Sequence, residues 1–147
     1  MQAIELYEHD FNAWLAQQIT LLKQGKMAEL DAHHLIAELE DMGKSHQREL
    51  ESRLIILIAH LLNWQFQPEQ QSSSWRGSIR EQRAKLLHLF KHIPSLKRHT
   101  AAMSQTAYPD ALEIAIDETG LNTSVFPTTC PYSAEQLLDK TFYPAAS

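Results

Sequence analysis

This chain lacks several things, and each absence removes a class of answer. One cysteine, Cys130, in 147 residues cannot form an internal disulfide, so the fold is not a disulfide scaffold and suits a reducing compartment. Four glycines suit helices joined by short turns. The longest apolar run, Leu54 to Leu62, is interrupted by His60 and falls well short of the roughly 20 residues that span a bilayer. The opening MQAIELYEHD has neither the basic start nor the apolar stretch of a signal peptide, so a cytoplasmic protein with no membrane role is expected. There is no glycine-rich phosphate loop, no Cys-x-x-Cys pair and no Gly-x-Ser-x-Gly elbow. That argues against the commonest enzyme classes, and no cofactor is expected. A net charge of −5 argues against general affinity for nucleic acid or acidic lipid, although a local basic patch could still hold an anion.

What remains is a globular composition, 44% hydrophobic and 21% charged, of a size to make one domain over residues 1–147. Its apolar residues recur at helical spacing. Tyr7, Phe11, Trp14, Leu15 and Leu22 predict a helix from about Ile4 to Gln24 that stops at Gly25. Asp31 is a good N-cap for the next. There, Leu35, Leu39 and Met42, then Leu50, Leu54, Leu57, Leu61 and Trp64, alternate by threes and fours up to Pro68, with Gly43 as the place for a kink or break. The serine run Ser72 to Ser74 caps a third helix lined by Trp75, Ile79, Leu86, Phe90 and Ile93. A fourth stretch, from Leu96 to Ile114, contains Pro109 and closes at Gly120. Ser133 and Gln136 make a capping box for a short last helix, Ser133 to Asp139, before an aromatic tail. No stretch alternates like a strand. The expected fold is all-α: a four-helix-type up-down bundle with one long helix, a short C-terminal helix and a tail.

Chemistry could gather in three places. At 100° per residue, His34, Glu38 and Asp41 share a face of the long helix and could hold a metal ion, although the Glu-x-x-His pairs of di-iron bundles are missing. Further along, His46, Arg53 and His60 recur at heptad spacing, with Glu49 beside Arg53 at i,i+4. His46 and His60 are about 21 Å apart on a straight helix and cannot share one ion, and His60 inside LIILIAHLL reads as a buried, hydrogen-bonded histidine. Arg76, Arg80 and Arg83 form one stripe bordering the core of the third helix. They either pair with Glu38, Asp41 and Glu49 across an interhelical seam, or join the free N–H groups after the serine run to hold a phosphate or carboxylate. Cys130 precedes the last helix, whose dipole could lower its pKa slightly, but no histidine lies near it in sequence.

Taken together, HDFNAWLAQQITLLKQG, HLIAELEDMGKS, HLLNWQFQPEQQSSSWRGSIREQR, the ETGL helix end and FPTTCPYSAEQLLD resemble the bacterial family called domain of unknown function 29. The resemblance runs from about Tyr7 to Tyr143. It carries over Glu38, Glu40, Met42 and Gly43 in the long helix, Trp64, Gln67 and Pro68 at its end, and Ser74, Trp75, Ile79, Glu81, Gln82 and Arg83 in the third helix. It implies a small, helical, cytoplasmic protein and no assigned activity. His34 departs from the family pattern, where asparagine stands, which weakens the metal reading.

With no complete catalytic set, the first reading is a non-enzymatic helical module that binds another protein. Its candidate surface is the aromatic C-terminal segment with Phe126, Tyr132, Phe142 and Tyr143. A strap that covers one end of the bundle is the plain alternative for that segment. A second reading is a small metal- or anion-binding protein or enzyme built on the polar seam. There Glu38 or Glu49 acts as acid or base, His60 as proton carrier, and Arg76, Arg80 and Arg83 as the clamp. An antitoxin-like regulator that binds nucleic acid is the weakest reading, given the sign of the charge. Homo-oligomerisation stays open, because a second subunit could cover the girdle from Leu54 to Leu62.

Overall fold

A computed structural model describes residues 2–147. Six α-helices and four short 3₁₀ segments make up its regular structure, with no strand among the described residues. The fold is all-α, as the periodicity predicts. It gathers into two compact units, Met1–Ser45 and His46–Ser147.

The N-terminal unit contains α1 (Ala3–His9), α2 (Phe11–Lys23) and the first turns of α3 (Ala32–Phe66). The single helix expected from Ile4 to Gln24 is two. Asp10 leaves helical conformation, at φ −151° and ψ 82°, and its carboxylate accepts the Ala13 N–H at 3.1 Å. Aspartate competes with the helix for backbone donors, so it caps a new helix better than it continues an old one. The chain then turns at Gly25, whose φ of +70° suits a residue without a Cβ.

The long helix runs unbroken through Gly43, where a kink or break was expected. Gly43 is exposed and a Cβ there would meet open space. Gly43→Ala is therefore expected to raise stability by about 0.5–1 kcal/mol through helix propensity alone. Urea unfolding measures it, and a loss of stability would show that the helix needs glycine's freedom at this point.

In the C-terminal unit the second half of α3 packs against α4 (Ser73–His92) and α5 (Thr100–Thr119). Leu50, Leu54, Leu57 and Leu61 of α3, Ile79 and Leu86 of α4, and Ala107, Ala111 and Ala115 of α5 are fully buried in one core. Each such leucine or isoleucine contributes on the order of 1.5–3 kcal/mol of burial. The caps predicted from sequence are present: Ser72 Oγ accepts the Trp75 N–H, and Gly120 ends α5 in left-handed conformation. Ser133 and Gln136 form the capping box of α6 (Ala134–Leu138). After α6 the tail is strapped down, with Pro144 buried and the Ser147 N–H donated to the Gln65 carbonyl at 3.1 Å.

Candidate functional site

One face of α4 and the tail after α6 enclose a groove of about 950 Å³. At 100° per residue Arg76, Arg80, Arg83, Ala84 and Leu87 fall within about 100° of one another, so the stripe legible in the sequence becomes one wall. Lys140, Thr141 and Tyr143 form the other. The Arg76 guanidinium lies 5.2 Å from the Trp64 ring centre and 5.5 Å from that of Tyr143. Arg83 is only 2% exposed and donates to three carbonyls: Leu137 at 2.9 Å, Phe142 at 2.7 Å and Gln136 at 3.0 Å. Burial pulls its pKa below the usual arginine value, yet a guanidinium keeps its charge there.

Of the carboxylates expected in a seam with the arginine stripe, Glu38 and Glu49 have partners elsewhere. Glu49 lies 3.9 Å from Arg53, Glu38 accepts the Tyr7 hydroxyl at 2.6 Å, and Asp41 sits exposed on α3 in the N-terminal unit. The backbone donors behind the serine run are also engaged: the Trp75 N–H by Ser72 Oγ and the Arg76 N–H by the Ser72 carbonyl. The helix start therefore adds no free amide from those two residues.

A second polar cluster surrounds His60. Its Nδ1 lies 3.0 Å from the Ile56 carbonyl and 2.9 Å from Ser78 Oγ, and its Nε2 lies 3.2 Å from Glu118 Oε2. Asn63, fully buried, donates to the same Glu118 oxygen at 2.6 Å. Serine, histidine and glutamate thus meet in the order of a nucleophile relay. The Ile56 carbonyl and the Glu118 carboxylate both only accept, so each ring nitrogen faces an acceptor: with the proton on Nδ1 the ring bonds Ile56, and with it on Nε2 the ring bonds Glu118 and Nδ1 accepts the Ser78 hydroxyl. The cluster ties α3 to α4 and α5. Neither Glu38 nor Glu49 is His60's partner, and Glu118 was legible in the sequence only as part of a helix stop.

The N-terminal unit has its own constellation. Asp31 Oδ2 receives the Trp14 indole N–H at 2.9 Å and lies 2.7 Å from His34 Nδ1, and the Gln18 side chain accepts the Asp31 N–H at 2.8 Å. Tyr7 stacks on His34 with ring centres 3.8 Å apart. The hydrogen bond to Glu38 and burial push the Tyr7 hydroxyl's pKa up. Burial alone would also raise the Asp31 carboxyl, but the bonds from His34 and Trp14 outweigh it and hold the carboxyl below the ordinary aspartate value. Among the described residues no three His, Cys, Asp or Glu side chains come together as a metal-binding set, so His34, Glu38 and Asp41 do not form one.

α1 and α2 meet α3 on the side of His34 and Glu38, which leaves the apolar side uncovered. Leu39 and Met42, expected to line a core, are 64% and 60% exposed, and Ile36 beside them is 56% exposed. Phe11, Leu15, Ile19 and Leu22 of α2 are likewise open. Nine of the eleven large hydrophobic side chains exposed on the described chain belong to this unit.

Of the aromatic residues expected to form an interface, Phe126 and Tyr132 are buried and Phe142 and Tyr143 are half-buried. Phe126 and Tyr132 are in the core, Phe142 packs on Tyr132 and Tyr143 on Trp64. Cys130 is buried among them, and burial pushes its thiol up, opposite to the lowering expected from the helix dipole.

No helix among the described residues is long and apolar enough to cross a membrane. No curated protein and no solved structure matches the chain. A family model does, over residues 6–143, and by that match the chain belongs to the family described as domain of unknown function DUF29.

Proposed function

We propose that the protein is a non-enzymatic interaction module whose N-terminal unit docks an apolar, base-flanked helical segment of another protein. The exposed apolar face of that unit carries this reading. Nine of the eleven large hydrophobic side chains exposed among the described residues lie in this one unit, and such a concentration of exposed apolar side chains marks an interaction surface where scattered ones do not. Phe11, Leu15, Ile19 and Leu22 lie within about 80° on α2, and Ile36, Leu39 and Met42 repeat by threes on α3. That is the spacing with which a helix receives a helix.

Charge selects the occupant. Residues 1–45 hold three lysines against eight aspartates and glutamates, which accounts for the chain's whole net charge of −5. A second copy of the same face would meet like charge, whereas a segment with lysines and arginines beside its apolar stripe meets the opposite one. Gly43 sits among Ile36, Leu39 and Met42 as a bare spot where a partner backbone can come close. The expected cytoplasmic location, with which the single cysteine agrees, belongs with the same proposal.

A photo-crosslinking residue in place of Leu39, in cells, tests it. Crosslinks should map to an amphipathic segment with flanking Lys and Arg, and Gly43→Ala should weaken them although it stabilises the free protein. Crosslinks confined to a second copy, or to a segment without basic flanks, would overturn the reading.

A further inference from the structure

The groove between α4 and the tail is independent of the docking face, and its charge runs against that of the chain. Arg76, Arg80, Arg83 and Lys140 line it with one carboxylate, Glu81, which already pairs with Lys85 at 2.8 Å. Among the described residues no salt bridge holds any of the four cations, in a chain whose net charge is −5. Asp139 offsets part of Arg83's charge, and concentrating the remaining positive charge in a concave site costs self-repulsion that an anionic ligand removes.

The three arginines differ in what they have left to give. Arg83 spends a hydrogen from each nitrogen on the tail carbonyls and supplies field more than bonds. The Arg76 guanidinium lies over the Trp64 and Tyr143 rings, and among the described residues no acceptor takes its side-chain N–H groups, which leaves them to donate. Arg80, one turn on, is exposed, and its side chain has no hydrogen-bond partner among the described residues. The Cβ atoms of side chains at i and i+4 are about 5–6 Å apart, so both guanidinium forks are within reach of one ligand in the groove that they line. Lys140 faces them from the other wall.

Two forks and an ammonium offer more donors than one carboxylate can use. A phosphate monoester has three terminal oxygens and up to two charges, and it matches them. Ala84 and Leu87, the latter 48% exposed, extend the same wall as an apolar floor for whatever the phosphate is esterified to. The volume of about 950 Å³ is that of a small-molecule site. We propose that this groove binds a small organic phosphate monoester, with Arg76 and Arg80 as the clamp, Lys140 opposite and the ester's organic body over Ala84 and Leu87.

Calorimetric titration of the full chain at low ionic strength tests this, with phenyl phosphate and inorganic phosphate as probes. Phenyl phosphate should bind at one site, and more tightly than inorganic phosphate. Arg80→Gln, which disturbs no packing, should weaken it about tenfold or more. Glu81→Gln should tighten it, and Lys97→Gln, a cation outside the groove, should leave it unchanged. Absence of saturable binding, or equal losses in Arg80→Gln and Lys97→Gln, would overturn the site. Phosphatidic acid vesicles give the lipid source its own arm: if the protein sediments with them and phenyl phosphate does not compete, the small-molecule assignment is wrong. Tighter binding of a duplex oligonucleotide that displaces phenyl phosphate would overturn it equally.

Discussion

Arg83→Ala is expected to lower the stability of the C-terminal unit by about 3–5 kcal/mol, more than any other single polar change on α4. Three carbonyls, those of Gln136, Leu137 and Phe142, receive their hydrogen bonds from this one guanidinium. Removing it leaves acceptors stranded where Arg83 is only 2% exposed, at a cost of about 1–3 kcal/mol for each that water cannot reach. The three do not add fully, because the tail will shift to rehydrate some of them. Lysine should recover little, since an ammonium cannot present three donors in the fixed fork that the carbonyls meet. Arg76→Ala is the internal comparison. Arg76 is exposed, and its stacking near Trp64 and Tyr143 is worth only about 0.5–1 kcal/mol. Urea unfolding of the three variants gives the ranking, and hydrogen exchange at residues 140–147 shows whether the tail has come loose. Should Arg83→Ala unfold within about 1 kcal/mol of the parent, the tail is held by its aromatic contacts and not by this arginine. In a chain ending at Asp139 the same substitution should cost less, because the Phe142 carbonyl is then gone.

Arg83 also shows where a single sequence stops being informative. Its place on a stripe with Arg76 and Arg80 follows from the spacing, and so does its border position against the core. That its partners are carbonyls more than fifty residues away does not, because backbone acceptors leave no mark in a sequence. The caps at Asp31, Ser72, Ser133 and Gly120 were legible for the opposite reason: each is a bond between near neighbours, and local chemistry decides it. Asp10 belongs to the same local class, but an apolar pattern on both sides hid it. A lone capping residue inside a periodic stretch gives the same reading whether the helix runs through or restarts.

Ile36, Leu39 and Met42 mark a second limit. Periodicity says that a face is apolar, and it cannot say what covers the face. In the second half of α3 the cover is α4 and α5 and the leucines are buried; in the first half the helix turns His34 and Glu38 toward Tyr7 and Trp14 instead. The aromatic tail fails the other way. Phe126, Tyr132 and Tyr143 have interface composition, and the same large, semi-polar rings serve equally well to close the end of a bundle. Ser78 and Glu118 were invisible as His60's partners because they come from two other helices.

Loss of the Asp31 carboxylate should loosen the N-terminal unit by about 2–3 kcal/mol in Asp31→Ala. The substitution removes the N-cap acceptor of the His34 N–H, worth about 1 kcal/mol. It also strands the indole N–H of Trp14, a fully buried residue, at about 1–3 kcal/mol. Hydrogen exchange across α1 and α2 is the suitable readout, since the larger core of the C-terminal unit would dominate a global unfolding curve. The same carboxylate predicts a pH dependence whose sign is fixed. Its folded pKa lies below the ordinary value because hydrogen bonds to the ionised form outweigh burial. A lowered carboxyl pKa means that the unfolded chain takes up the proton first, so acid favours unfolding. The contribution is complete at neutral pH, begins to fall as pH drops through the unfolded value of about 3.9, and is lost once pH passes below the folded value. Protection of α1 and α2 should therefore decline in acid ahead of, or together with, that of α3's buried half. In Asp31→Asn this part of the decline should disappear, because an amide can accept the Trp14 bond but does not titrate. If Asp31→Asn follows the parent through the acid range, the carboxylate's bonds to Trp14 and His34 are not what holds α2 to the start of α3.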